Sequence, residues 1–172
     1  MPEFINPSNV LDQLPLKSAM IAADFGCGSG GWTIPLAKRL IHGKVFAVDL
    51  KEEALSALRS KAKLEGVFNI KEVLGDLELG VTDLRNEAFD LVLITDLLFQ
   101  IEQREDVFKE AARVLKPGGM LLVIGWRKGA PLSPRQGCLA ESEMEEIALS
   151  QGFKKEKEIK AGDYHYGVLF SK

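Results

Sequence analysis

The chain has 172 residues, a formal charge of −3 and 46% apolar residues, which is room for one domain with a filled core and hardly for a second. So mild an acidity gives no electrostatic ground for nucleic-acid binding, which depends on clustered cations. Two cysteines, Cys27 and Cys138, cannot build a disulfide scaffold, and no Cys-x-x-Cys or histidine cluster points to a metal.

The opening stretch, Met1 to Pro7, carries neither the basic nor the apolar region of a signal peptide. No apolar run approaches the ~18 residues that cross a bilayer. The expectation is a cytoplasmic protein that does not enter membranes, with residues 1–17 as an N-terminal lid or cap segment. An apolar strand over Met20–Phe25 then runs into Gly26-Cys27-Gly28-Ser29-Gly30-Gly31, and Thr33–Leu40 reads as a helix. Strand, glycine turn and helix N-terminus together make a cradle for an anion, because glycine takes φ > 0 and lets a ligand approach the backbone.

Strand and helix signals alternate from there. Lys44–Asp49, Asn69–Leu74, Phe89–Thr95 and Met120–Trp126 are apolar enough for parallel strands covered on both faces. Lys51–Glu65 aligns Leu55, Leu58 and Ala62 on one helical face, and Arg104–Leu115 aligns Val107, Phe108, Ala111 and Val114. Lys116-Pro117-Gly118-Gly119 stops that helix. Ser142 and Glu145 read as the capping box of a helix over Glu141–Gln151. Phe153–Ile159 and Tyr164–Ser171, linked by Lys160-Ala161-Gly162-Asp163, then form a hairpin, so the last strand runs antiparallel to the rest. The pattern is an α/β fold with a Rossmann-like, doubly wound, mostly parallel sheet of seven strands.

The glycines fit two registers. Gly26, Gly28 and Gly31 satisfy G-x-G-x-x-G, the dinucleotide fingerprint. Asp24 with Gly26, Gly28 and Gly30 satisfies D-x-G-x-G-x-G. Asp49 closes the second strand, where a carboxylate accepts hydrogen bonds from ribose hydroxyls or caps the next helix. Gly75-Asp76 follows the third strand, where Asp76 suits an exocyclic amine or a Gly-Asp turn, with Leu50 and Leu77 placed to sandwich a base.

From Asp24 to Trp126 the ordered set resembles the class I S-adenosylmethionine-dependent methyltransferases. It comprises Asp24 to Gly30, Val45 to Asp49, Gly75-Asp76, Phe89 to Val92 and Ala112 to Gly119. The last piece is similar to the small ubiquinone-pathway-like, type-11 and type-31 groups. The resemblance implies that Gly26, Gly28 and Gly30 wrap the methionine part of S-adenosylmethionine, with Asp24 near its ammonium. It further implies Asp49 on the ribose, Asp76 on the adenine amine, and Thr95 and Asp96 beside the sulfonium. Its implied activity is methyl transfer, which needs positioning and a dry site and no catalytic triad. The alternatives are a non-catalytic S-adenosylmethionine-binding partner of another methyltransferase and, with the other glycine register, a nicotinamide-dependent oxidoreductase.

Ligands of an open α/β sheet bind at the carboxyl ends of its strands. At that edge Phe99, Trp126, Arg127 and Tyr164 are candidates to contact a small-molecule acceptor, and His165 is the candidate general base. Each also has a plain reading. His165 and the pair Tyr164 and Tyr166 fit a strand core, Trp126 a strand-end anchor, and Arg127, Lys128 and Arg135 a solvated loop. The segment after the fourth strand, Thr95-Asp96-Leu97-Leu98, is not the Asp/Asn-Pro-Pro-aromatic motif of methyltransferases acting on nucleic-acid bases. A small acceptor follows by elimination; its identity and the oligomeric state do not follow from the sequence.

Overall fold

The computed structural model describes residues 1–172. Its strands are β1 (Ile21–Phe25), β2 (Lys44–Asp49), β3 (Ile70–Leu74), β4 (Phe89–Thr95), β5 (Leu115–Trp126), β6 (Lys154–Glu158) and β7 (His165–Ser171). They form one sheet of order β3-β2-β1-β4-β5-β7-β6. The first five are mutually parallel, and β7 pairs antiparallel with both β5 and β6. The chain reverses its direction of progress between β1 and β4, which opens a crevice above their carboxyl ends.

Helices α1 (Pro7–Leu11), α2 (Thr33–Arg39) and α3 (Glu52–Leu64) cover one face, and α4 (Arg104–Val114) and α5 (Glu141–Ser150) the other. The alternation within β4 shows why its run is apolar throughout. Leu91 and Leu93 join the first layer, Val92 and Ile94 the second. In β1, Ala23 and Phe25 face the second layer, so Asp24 points the other way and meets α2. No helix is long and apolar enough to cross a membrane.

Two expectations are corrected, and the lid-or-cap reading of residues 1–17 is narrowed. The α5 helix starts at Glu141 with Ala140 as N-cap, and Glu143 accepts the Ala140 N–H at 2.7 Å. Ser142 is therefore inside the helix, and Glu145 instead pairs with Lys155 at 2.6 Å. Lys116–Gly119 does not end the element before it in a plain turn. Leu115 already pairs with Phe89, and the segment bulges from β5 before Met120 pairs with Leu91. The N-terminal segment is not a free lid. Asn6 caps α1 through Ser8 N–H at 2.9 Å, and Val10, Leu11 and Leu14 are buried in the first layer. Glu3 to Ile5 run beside the Gly162 turn, where Glu3 and Asp163 exchange two hydrogen bonds.

Candidate functional site

The glycine turn leaves β1 and folds over β2, where the Gly26 and Cys27 N–H groups both donate to Val48 O, at 2.9 and 3.0 Å. Gly26, Gly28 and Gly30 have φ of 73°, 52° and 93°, a region closed to most side chains. Gly31 is outside that region with open space around it, so the backbone follows the D-x-G-x-G-x-G register. The three glycines differ in what a Cβ would meet. At Gly28 there is nothing within 4 Å; at Gly26 Leu97 Cδ1 lies 2.7 Å away; at Gly30 Leu58 Cδ1 lies 2.3 Å away. Gly30 thus serves the packing of α3 under the turn and does not line the open space. Burial pushes the Cys27 thiol far above its ordinary range, with the charges of Asp24 and Asp49 adding to the rise, which leaves it no nucleophilic role.

Beside the turn lies a cleft of about 470 Å³ lined by Gly26, Gly28, Asp49, Leu50, Asp76 and Leu77. These come from the ends of three strands, and the parallel register of β1, β2 and β3 brings them level. Asp49 Oδ2 accepts the Gly28 N–H at 2.9 Å and Oδ1 accepts the Lys51 N–H at 3.0 Å. One carboxylate therefore ties the turn to β2 and starts α3, with a second lone pair free on each oxygen. Asp76 Oδ1 accepts from the Glu78 and Leu79 N–H groups at 2.9 and 3.1 Å. The Gly-Asp turn is thus real, and Oδ2 remains for a ligand. Leu77 is buried while Leu50 stands exposed across the opening. Lys51, Ala54, Glu78, Leu97, Gln100 and Ile101 complete the wall. Leu97 and Gln100 lie in the segment after β4 that the sequence places at the ligand edge, while Lys51, Ala54, Glu78 and Ile101 were missed.

Asp24 lies beneath the turn and out of the cleft, fully buried. Its Oδ2 accepts the Thr33 hydroxyl at 2.6 Å, and Oδ1 has no partner. Burial pushes its carboxyl up to about 6, against the Thr33 hydrogen bond that lowers it, with the Asp49 charge raising it further. An unpartnered buried carboxylate oxygen places negative charge directly under the glycine turn.

The acceptor-side candidates form a second group along the same edge, outside the cleft. Thr95 is buried at the end of β4. Phe99 is half-buried in the 3₁₀ turn Leu98–Gln100. Arg104 joins that turn to the loop after β5 by donating to Leu98 O and Gly137 O, both at 2.9 Å. Trp126 is paired with His165 across β5 and β7, ring centroids 4.0 Å apart. Phe4 meets Tyr164 edge to face at 5.4 Å. Arg127 is an exposed side chain, 3.8 Å from Glu141. Tyr166 is core, its hydroxyl filling the space a Cβ on Gly125 would need.

The sheet order with its inserted antiparallel strand, the glycine turn and the acidic strand ends define a class I, S-adenosylmethionine-dependent methyltransferase domain. A family model described as "Methyltransferase domain" matches residues 23–123, and the chain belongs to that family. It is 38% identical over 117 residues to a demethylmenaquinone methyltransferase of Staphylococcus saprophyticus, covering 67% of this chain and 48% of that protein. It is 32% identical over 118 residues to a demethylmenaquinone methyltransferase of Geobacillus stearothermophilus, covering 67% and 49%. The chain spans about half the length of the curated relatives it matches. A crystal structure of a SAM-dependent methyltransferase from Aquifex aeolicus superposes with a TM-score of 0.87 at 24% identity, over 98% of this chain and 90% of that one.

Proposed function

We propose that the protein transfers the methyl group of S-adenosylmethionine to a small-molecule acceptor. The observation that carries this reading is the cleft in which an open Gly28 sits between two strand-end carboxylates, Asp49 and Asp76, with Leu50 and Leu77 on its walls. Asp49 takes the ribose hydroxyls, Asp76 Oδ2 the adenine amine, and Leu50 and Leu77 the two faces of the base. Gly26 and Gly28 let the amino-acid end approach the turn that Gly30 packs in place, and Asp24 balances its ammonium. Thr95 lies beside the reacting centre. When bound, the cofactor supplies an activated methyl group, and the chain's own work is to orient the acceptor and keep water out.

Phe99, Trp126 and Tyr164 give the acceptor side its aromatic walls, and Arg127 stands at the rim for any anionic substituent. His165 takes a proton where the acceptor loses one. The small acceptor is supported by the curated relatives, whose names give demethylmenaquinone as the compound methylated. Residues 1–172 act as one catalytic domain, with Glu3 to Ile5 at the acceptor edge. The free thiols of Cys27 and Cys138 suit the reducing cytoplasm.

Calorimetric titration with S-adenosylmethionine, S-adenosylhomocysteine and NADH tests the reading. Binding of the two sulfur nucleotides and not NADH is expected. Binding of NADH alone would return the glycine turn to a dinucleotide and overturn the proposal.

A further inference from the structure

Four buried side-chain polar atoms in this chain have no hydrogen-bond partner: Asp24 Oδ1, Asp96 Oδ1, His165 Nδ1 and His165 Nε2. Buried polar atoms are almost always paired, so each exception calls for a reason. Asp24 lies beneath the glycine turn, its other oxygen taken by the Thr33 hydroxyl. The other three belong to two side chains in contact, His165 Nε2 lying 3.4 Å from Asp96 Oδ1. A histidine kept for packing satisfies at least one ring nitrogen; here neither is satisfied, although the side chain is only 4% exposed. Asp96 is also one of four non-glycine residues at positive φ, 49°, and its N–H is anchored to Ile124 O at 3.0 Å. Backbone held in that region beside a ligand crevice points to use of the side chain it aims.

Resting on the methyl-transfer reading above, we infer that Asp96 and His165 act as one proton acceptor, and that the acceptor molecule is one whose nucleophile loses a proton on methylation. The nucleophile is then one that carries a proton, a hydroxyl, an N–H, a thiol or an acidic C–H, and not a thioether or a tertiary amine. With its proton on Nε2 the imidazole turns that proton toward Asp96 Oδ1, 3.4 Å away, which leaves Nδ1 bare. In the transfer the acceptor's X–H bond breaks and its proton passes to Nδ1. The electron pair left on X forms the bond to the methyl carbon, and the pair of the broken C–S bond stays on sulfur. Asp96 is a positioning residue in this arrangement, and its charge also stabilises the imidazolium that results. Trp126, its ring tilted against the imidazole with centroids 4.0 Å apart, limits the other coordinate of the ring. Both nitrogens are closed to solvent, so a side chain beside Nδ1 must move for the acceptor to reach it.

The test uses the full chain with ¹⁵N-labelled histidine. His42 is the only other histidine, so His42→Ala assigns the spectrum. The Nε2–H tautomer of His165 is expected in the wild type, and a mixture of tautomers in Asp96→Asn. An unchanged tautomer in Asp96→Asn overturns the pairing, and this readout needs no acceptor. Transfer of labelled methyl is then measured to catechol and aniline, which lose a proton, and to N,N-dimethylaniline and dimethyl sulfide, which do not. His165→Gln is expected to lower kcat toward the first pair by about 100-fold or more. Asp96→Asn lowers it by about 10-fold with KM little changed, and Asp96→Glu recovers part of the loss. Methylation of the proton-free pair alone, or turnover untouched by His165→Gln, overturns the inference. His165→Gln retains S-adenosylhomocysteine binding; if the wild type binds neither sulfur nucleotide, it is the methyl-transfer reading that fails.

Discussion

The carboxyl edge of the sheet has two halves built on different principles. Over β1, β2 and β3 the site is made of backbone and short acids: a left-handed glycine turn, Asp49 bracing it, and Asp76 folding its own turn. Nearly every polar atom there already has a partner, and the cleft stands open. Over β4, β5 and β7 the site is made of large side chains, Phe99, Trp126, Tyr164 and His165, and His165 with Asp96 holds three of the four unpartnered buried atoms. A pocket for an unvarying ligand can be fixed in the backbone and announced by spacing. A pocket for a particular acceptor is written in side-chain identities, each of which has a structural use elsewhere in proteins.

Substitutions sharpen that contrast, and the largest effect belongs to the glycine that touches no ligand. Gly30→Ala puts a Cβ 2.3 Å from the buried Leu58 and at φ 93°, and is expected to cost about 3 kcal/mol in denaturant unfolding. Gly28→Ala has open space and should lose about 1 kcal/mol of stability while impairing nucleotide binding. Equal destabilisation by the two would break the distinction between packing and approach.

Asp24 comes next. Its carboxyl is raised from 3.8 to about 6 in the fold, so the native state holds the proton more tightly than the unfolded chain. Stability then falls as pH rises through that window, by up to about 3 kcal/mol when complete. Asp24→Asn removes this loss, and thermal unfolding should show its advantage over wild type at about pH 8 and not at about pH 4. A gap of the same size at both values would mean that no ionised, unpaired carboxylate lies under the turn. The same variant should weaken S-adenosylmethionine binding.

Asp49→Ala is expected to weaken nucleotide binding by about 1–3 kcal/mol, the range for hydrogen bonds to a charged group. An unchanged Kd in calorimetry removes the ribose assignment. The smallest effect is at the rim, where Arg127 is 52% exposed and 3.8 Å from Glu141. Arg127→Ala should change stability by less than about 0.5 kcal/mol, and any rise in KM would be confined to anionic acceptors.

The strands were legible because burial on both faces requires runs such as Leu91 to Ile94, and the antiparallel end because Gly162 sits in a short link between two such runs. The α5 cap was misread because Ser142 has the right side chain one turn from a glutamate, while the backbone used Ala140 and Glu143. The α1 helix was signalled by Asn6-Pro7 but is too short to show a period. In the site, Asp49, Asp76, Leu50 and Leu77 were legible from their places after strands. That Leu97, Gln100 and Ile101 would line this cleft was not, since a 3₁₀ turn and the residues flanking it carry no repeating pattern. The separate tasks of Gly28 and Gly30 were invisible because both are simply glycine until Leu58 is placed.

Glu78 joins two walls of the cleft. Its Oε1 accepts the N–H groups of Glu102 and Gln103, each at 2.8 Å, at the start of α4, which has no side-chain cap of its own. One carboxylate therefore spans the mouth and seeds a helix on its far side. The amides of residues 102 and 103 become a built-in gauge of the cleft. Their hydrogen-exchange protection should rise when a ligand settles against Glu78 and collapse in Glu78→Ala, giving a label-free measure of occupancy from two backbone protons.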